Sequence, residues 1–234
     1  MRIHTIEHVP FEGPAGIAAH AATHGHPLHR TRLYAGDAFP ALDSFDLLAV
    51  MGGPMSVHDT LQFPWLAREK TFLRQAVDAG RAVLGICLGA QLLAESLGGA
   101  VTRSPQPEIG WHPVTLTPDA AASPAFAGLP SAFTAFHWHG ETFSIPPGAT
   151  HLASSAACAH QAFAVDGRLV GLQFHFETTA ESMERLITHC AGEIIPGPHV
   201  HTPDQMRAAP GATDALRALP PLLDTLLRNM ALAV

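Results

Sequence analysis

The sequence predicts an α/β fold: a mostly parallel open sheet flanked by helices, with an added antiparallel portion. Three observations carry the prediction. Short apolar, strand-like runs alternate with helical patterns through the first hundred residues, as in layered α/β domains. Residues 45–51 are almost continuously apolar, as expected of a parallel strand buried on both faces. The middle of the chain then changes character, with strand-like runs that follow one another without long helices between them.

Residues 2–7 read as the first strand, 16–23 as a short helix ending at Gly25, and 29–34 as the second strand. Pro64, suited to a first helical turn, opens a helix. There Leu66, Leu73 and Val77, with Trp65, Phe72 and Ala76, form an apolar stripe at helical spacing, and Gly80 closes it. This helix, 64–79, reads as surface plus core and is assigned no site. A strand at 82–86 and a helix at 90–97 follow. Residues 99–103, 111–117, 133–138, 159–165 and 169–174 read as strands, the last two joined by a strong hairpin signal, Asp166-Gly167. A helix is expected over 179–190. Residues 196–210 are rich in Pro, His and Gly. Residues 214–230 are helical in pattern, with Leu216, Leu219, Leu223 and Leu226 docked on the core and Pro220-Pro221 breaking the helix in two. The expected organisation is one domain over residues 1–190, with a C-terminal loop and helix, 191–234, packed on it.

Composition narrows the function classes. With 47% hydrophobic and 14% charged residues, a sizeable core is feasible and disorder is not expected. A formal net charge of -7 without any basic run argues against a nucleic-acid partner. No stretch approaches the roughly 18 apolar residues of a transmembrane helix, and the N-terminal residues hold no signal-peptide core, so no membrane association is expected. Cys87, Cys158 and Cys190 form no paired framework, which points to a reducing, cytoplasmic location.

The chemistry concentrates at Gly85-Ile86-Cys87-Leu88-Gly89, between the strand at 82–86 and the helix at 90–97. That context reads as a nucleophile elbow, a sharp strand-to-helix turn that displays one reactive side chain. Unpaired N–H groups and the partial positive charge at a helix start are expected to lower the Cys87 pKa. A nucleophilic cysteine needs a base and a group to orient it. In Gln173-Phe174-His175-Phe176-Glu177, His175 and Glu177 are two apart at a strand end, so in an extended chain they point the same way. His175 can face Cys87 while Glu177 fixes its tautomer. Attack on an amide carbon creates an oxyanion that needs pre-aimed N–H donors. The Met51-Gly52-Gly53-Pro54 turn offers the N–H of Gly53, and the helix start offers that of Leu88.

Together these residues resemble a class I glutamine amidotransferase domain, whose fold is flavodoxin-like. Gly85 to Gln91, the Gly-Gly-Pro turn and the His175-x-Glu177 pair match the family in order and role. Within it, the sequence is most similar to the glutaminase domain of GMP synthase and its free-standing relatives. That likeness rests on Gly52-Gly53-Pro54-Met55-Ser56-Val57, Glu108-Ile109-Gly110-Trp111, His139-Gly140-Glu141-Thr142-Phe143 and Gln161-Ala162-Phe163. The resemblance covers roughly residues 1–190. It implies a triad of Cys87, His175 and Glu177, an oxyanion hole from Gly53 and Leu88, and binding of the amino-acid end of glutamine by Gln91 and by Trp138, His139 and Gly140. Two positions depart from the family: Phe176 stands where Pro is usual, and Met55-Ser56 where GMP synthase carries Glu-Ser.

Sixteen histidines raise the question of a metal. His137 and His139, with Glu141, are the tidiest group, but no His-Glu-x-x-His or paired-Cys spacing exists; neither metal nor cofactor is expected. His199 and His201 are expected to face solvent, Trp111 to be a packed core aromatic, and Cys158 and Cys190 to be structural thiols. The expected substrate is a small molecule, glutamine or another γ-glutamyl compound. One reading is a glutaminase that delivers ammonia to a separate synthetase chain. A second is a self-sufficient hydrolase of γ-glutamyl amides or peptides, and a third a non-enzymatic binding protein that kept the fold.

Overall fold

A computed structural model describes residues 1–208 and 211–233, so the last two residues of the Pro-, His- and Gly-rich stretch lie outside the described residues. The elements in chain order are β1 (Ile3–Glu7), α1 (Ala15–Thr23), β2 (Leu28–Arg32), β3 (Leu47–Val50), α2 (Trp65–Asp78), β4 (Ala82–Ile86), α3 (Leu88–Ser96), β5 (Val101–Leu116), β6 (Ala132–Phe143), β7 (Thr150–Ser154), β8 (Ala162–Val165), β9 (Leu169–Leu172), α4 (Ala180–His189), α5 (Pro203–Ala208) and α6 (Ala212–Ala231). These strands form one sheet in the order β2-β1-β3-β4-β9-β8-β7-β5-β6. From β2 to β9 the pairing is parallel, and from β9 to β6 it is antiparallel.

The apolar run at β3 explains its central place. Leu47 and Ala49 pack into a core with Ile17 of α1 and Leu223 of α6, while Leu48 and Val50 pack on the opposite face with Leu66 and Leu73 of α2. Alternation along an extended chain thus serves two cores at once. β4 and β9 lie side by side in parallel, with Ile86 opposite Leu172. Whatever follows either strand therefore emerges at the same end of the sheet, where ligands bind in open α/β folds.

Several sequence expectations are corrected. Residues 99–103 and 111–117 belong to one strand, β5, because both halves pair with β6; the register shifts between Arg103 and Glu108, where Pro105 and Pro107 have no N–H to offer. β7 carries no strong signal of its own, and it forms because it bridges β5 and β8. The second strand ends at Arg32, after which Leu33–Ala35 turn as a 3-10 helix. Pro220-Pro221 do not break α6: the helix runs through them, its buried face of Leu219, Leu223, Leu226, Leu227 and Met230 held by the core. The Asp166-Gly167 hairpin forms as expected, with both residues at positive φ, 50° and 67°. None of the described helices is long and apolar enough to cross a membrane.

Candidate active site

β4 runs into α3 through a single residue, Cys87, which adopts φ 51° and ψ −108°. Positive φ is costly for a residue with a Cβ, and the flanking glycines explain why the turn is possible at all. A Cβ on Gly85 would meet the Gly89 carbonyl at 2.5 Å, and one on Gly89 would overlap the Val50 carbonyl. The Cys87 N–H is anchored to the Leu172 carbonyl at 2.7 Å, which ties the elbow to β9.

β9 delivers the partners. His175 donates from one ring nitrogen to the Glu177 carboxylate, Nδ1 to Oε1 at 2.6 Å, and its N–H anchors to the Phe136 carbonyl at 2.8 Å. His175 and Glu177 are buried, and the chain then enters α4 through Thr179, which caps that helix reciprocally with Ser182. Phe176, between them, turns into the core against Phe133 and Phe174, with ring centroids 5.0 and 4.8 Å away. The two-residue spacing thus survives without proline.

The electrostatics differ from the sequence expectation in one respect. Burial pushes the Cys87 thiol up; His175 and the Leu88 N–H pull it back but do not win. Desolvation outweighs the helix start, because the thiol is only 6% exposed. Burial would lower His175 as well, but the Glu177 carboxylate and Cys87 hold it well above the ordinary imidazole value.

The Gly52-Gly53 turn follows β3 and lies against this pair: the Cβ position of Gly52 is 3.3 Å from Cε1 of His175, and that of Gly53 is 3.1 Å from the Leu88 side chain. The Gly53 N–H has no hydrogen-bond acceptor among the described residues. His8, just past β1, reaches the Gly52 carbonyl through Nδ1 at 2.9 Å and Oε1 of Glu69 through Nε2 at 2.9 Å. Oxygen atoms facing both ring nitrogens favour the imidazolium form of His8. Burial opposes that charge, but Glu69 and the Gly52 carbonyl raise the His8 pKa. Glu69 sits on α2, the helix to which the sequence assigned no site. The signal was present: Glu69 is in register with Leu66, Phe72 and Leu73 on the buried face.

The other candidate residues fall as follows. Gln91, one turn into α3, donates to the Glu141 carbonyl at 3.3 Å and to Oε1 of Gln173 at 3.2 Å. Gln173 in turn donates to Cys87 Sγ at 3.7 Å. The sequence reading passed over Gln173, although it stands two residues before His175 in an extended segment. The Trp138 carbonyl lies 3.5 Å from Cys87 Sγ, and its indole N–H donates to Glu193 at 2.8 Å. The space beside Gly140 is open. His139 is taken up internally: Nε2 is 3.2 Å from the Glu108 carboxylate and Nδ1 contacts the Glu141 carbonyl at 3.1 Å.

The acid beside His137 and His139 is therefore Glu108, not Glu141. Gln161 also donates to it, at 2.6 Å. Burial alone would raise the Glu108 pKa, but the hydrogen bond from His139 and the neighbouring imidazoles hold it at about 2. Burial keeps His137 well below the ordinary value, and of the two rings His139 lies nearer the Glu108 carboxylate, at 3.2 Å against 3.7 Å.

His199 and His201 do not face solvent freely. Their segment runs along β5, with His201 N–H donating to the Ile109 carbonyl at 2.9 Å and its ring 4.7 Å from that of His112. Trp111 is 6% exposed and donates to the Met206 carbonyl, as a core aromatic does.

Glu12, in the loop before α1, is a further site residue without a sequence motif. It lines a cleft with Phe11, Gly52, His175, Glu177 and Thr178. Burial raises its pKa to about 7, with Glu177 and Glu193 adding to the rise and His175 and His8 opposing it.

Residues 22–191 match the profile of the glutamine amidotransferase class-I family. The chain is 39% identical over 198 residues to the glutamine amidotransferase-like protein YfeJ of Salmonella typhimurium, covering 83% of each chain. It is also 40% identical over 134 residues to a GMP synthase [glutamine-hydrolyzing] of Thermomicrobium roseum, a match that spans 56% of this chain and only 23% of that protein. Among solved structures it is similar to a glutamine amidotransferase from Methylobacillus flagellatus, with a TM-score of 0.89, 30% identity and coverage of 100% of this chain and 95% of that one. A glutamine amidotransferase from Thermotoga maritima superposes with a TM-score of 0.86 at 29% identity, covering 98% and 97% of the two chains.

Proposed function

This chain belongs to the class I glutamine amidotransferase family, and we propose that it cleaves the side-chain amide of glutamine through a thioester on Cys87, releasing ammonia. The observation that carries the reading is the strained Cys87 elbow beside a buried His175 oriented by Glu177 at 2.6 Å. The Cys87 proton passes to Nε2 of His175 as sulfur attacks the amide carbon. The carbonyl oxygen becomes an oxyanion, held by the N–H groups of Gly53 and Leu88. His175 then protonates the amide nitrogen, and ammonia leaves. Water, deprotonated by His175, attacks the thioester; glutamate departs and Cys87 is restored.

Gln91 and the Trp138-His139-Gly140 segment hold the amino-acid end of the substrate. The engagement of both His139 ring nitrogens favours the backbone of that segment, rather than the imidazole, as the substrate contact.

One observation favours a second reading, in which the chain hydrolyses γ-glutamyl amides or peptides without a synthetase partner. His8 and Glu69 hold the Gly52-Gly53 peptide from within the chain itself, so no partner is needed to orient it. In the first reading the ammonia goes to a separate synthetase chain instead. The test is turnover by the purified protein of glutamine and of a panel of γ-glutamyl amines and peptides. Slow glutamine turnover that a synthetase accelerates supports the first reading; rapid turnover of a γ-glutamyl amine or peptide by the chain alone supports the second. Wild-type turnover by Cys87→Ala would overturn both.

A further inference from the structure

We propose that His20, His24 and Asp224 bind one divalent transition-metal ion of the zinc type, which ties the end of α1 to α6. The site lies apart from the triad, and its donor set joins His20 and His24 to Asp224, two hundred residues beyond His24 in the sequence. His20 and His24 are one helical turn apart and share a face of the chain. Nδ1 of His20 and Nε2 of His24 lie 3.1 and 3.2 Å from the same Asp224 oxygen, Oδ1. The three donor atoms fall within 4.8 Å of one another. Ligand atoms about 2.0–2.1 Å from a tetrahedral zinc ion stand about 3.3 Å apart, so both separations match edges of such a shell.

Hydrogen bonding among these groups does not account for the arrangement. Nδ1 of His20 is buried and has no hydrogen-bond partner, despite the carboxylate 3.1 Å away. Nδ1 of His24 donates to the His20 carbonyl at 3.0 Å, which turns Nε2 towards the carboxylate oxygen. The two rings stack with centroids 4.3 Å apart, a spacing that favours one shared cation over two imidazolium charges.

The surroundings support ligation. Asp224 Oδ2 accepts from Arg228 at 3.0 Å, which orients the carboxylate and leaves Oδ1 for the metal. His24 is 36% and Asp224 28% exposed, so an ion can enter from solvent and water can complete its shell. Imidazole and carboxylate donors without thiolate suit zinc, and cobalt as its spectroscopic substitute.

The test is titration of the metal-stripped full chain with Zn²⁺, followed by calorimetry, and with Co²⁺, followed by visible absorption. The expected result is one ion per chain, the intense ligand-field bands of tetrahedral cobalt, and a Tm that rises with Zn²⁺ concentration. His24→Ala, a surface change that leaves the core intact, and Asp224→Asn should each weaken binding about tenfold or more and abolish the Tm gain, while Cys87→Ala binds as wild type. Absence of stoichiometric binding by the wild type, or undiminished binding by both His24→Ala and Asp224→Asn, overturns the proposal.

Discussion

Nδ1 of His8 donates to the Gly52 carbonyl at 2.9 Å, and both His8 and the Glu69 carboxylate behind it are sealed from solvent. The Gly52 carbonyl and the Gly53 N–H belong to one rigid trans peptide and point in opposite directions. Fixing the first therefore fixes the second, the N–H assigned to the oxyanion.

Glu69→Gln removes the carboxylate that raises the His8 pKa while retaining an oxygen acceptor. The rate of glutamine hydrolysis should fall about tenfold to a hundredfold through kcat, with little change in KM, since a misaimed oxyanion donor acts only on the transition state. Steady-state kinetics of the folded variant provide the check. An unchanged kcat would show that the pair is merely structural.

The pH profile follows from the two raised pKa values. Burial keeps Cys87 as a thiol, and Glu177 helps to keep the proton on His175, so near neutrality the pair holds one proton more than attack requires. kcat/KM should rise as pH increases above neutrality. Glu177→Gln removes the carboxylate that holds the imidazolium, so the rising limb should move to lower pH while the maximum rate falls. A flat profile in the wild type would contradict this charge assignment.

The elbow stores strain. A non-glycine residue at φ 51° costs about 1–3 kcal/mol. Cys87→Gly and Cys87→Ala should both be inactive, but the glycine variant should be the more stable by about 1 kcal/mol. Urea midpoints compare them, and equal midpoints would mean that the turn is relaxed.

Acid should weaken the fold through Glu108. Its pKa of about 2 lies below the ordinary 4.5, so its stabilising contribution is complete above about pH 4.5 and is lost as pH falls towards 2. That difference corresponds to about 3 kcal/mol. Glu108→Gln should be less stable at pH 7, and its urea midpoint should change less between pH 7 and pH 3 than that of the wild type.

The local signals in the sequence were strong where one short segment carries the whole requirement. The elbow needs two glycines, one cysteine and a strand-helix junction within a few residues. The His175-x-Glu177 pair needs only an extended backbone to point two side chains the same way. Parallel strands announced themselves because burial on both faces demands a continuous apolar run, as at β3. The same local logic misjudged α6, where core packing of Leu219, Leu223 and Leu227 overrides the two prolines, and β7, which exists only because its neighbours pair with it.

What the chain by itself determined is the Cys87 elbow, the His175-x-Glu177 pair and the α/β framework that carries them. Only the tertiary structure decided that His8 and Glu69 meet at the Gly52 carbonyl, that Glu108 rather than Glu141 joins His139, and that Asp224 lies against His20 and His24. Each of these joins residues that are distant in sequence, and no local periodicity encodes which strands and helices become neighbours. The tertiary structure likewise reversed the expected Cys87 pKa. A helix start is legible in the sequence, but the depth of burial that outweighs it depends on everything packed around the turn.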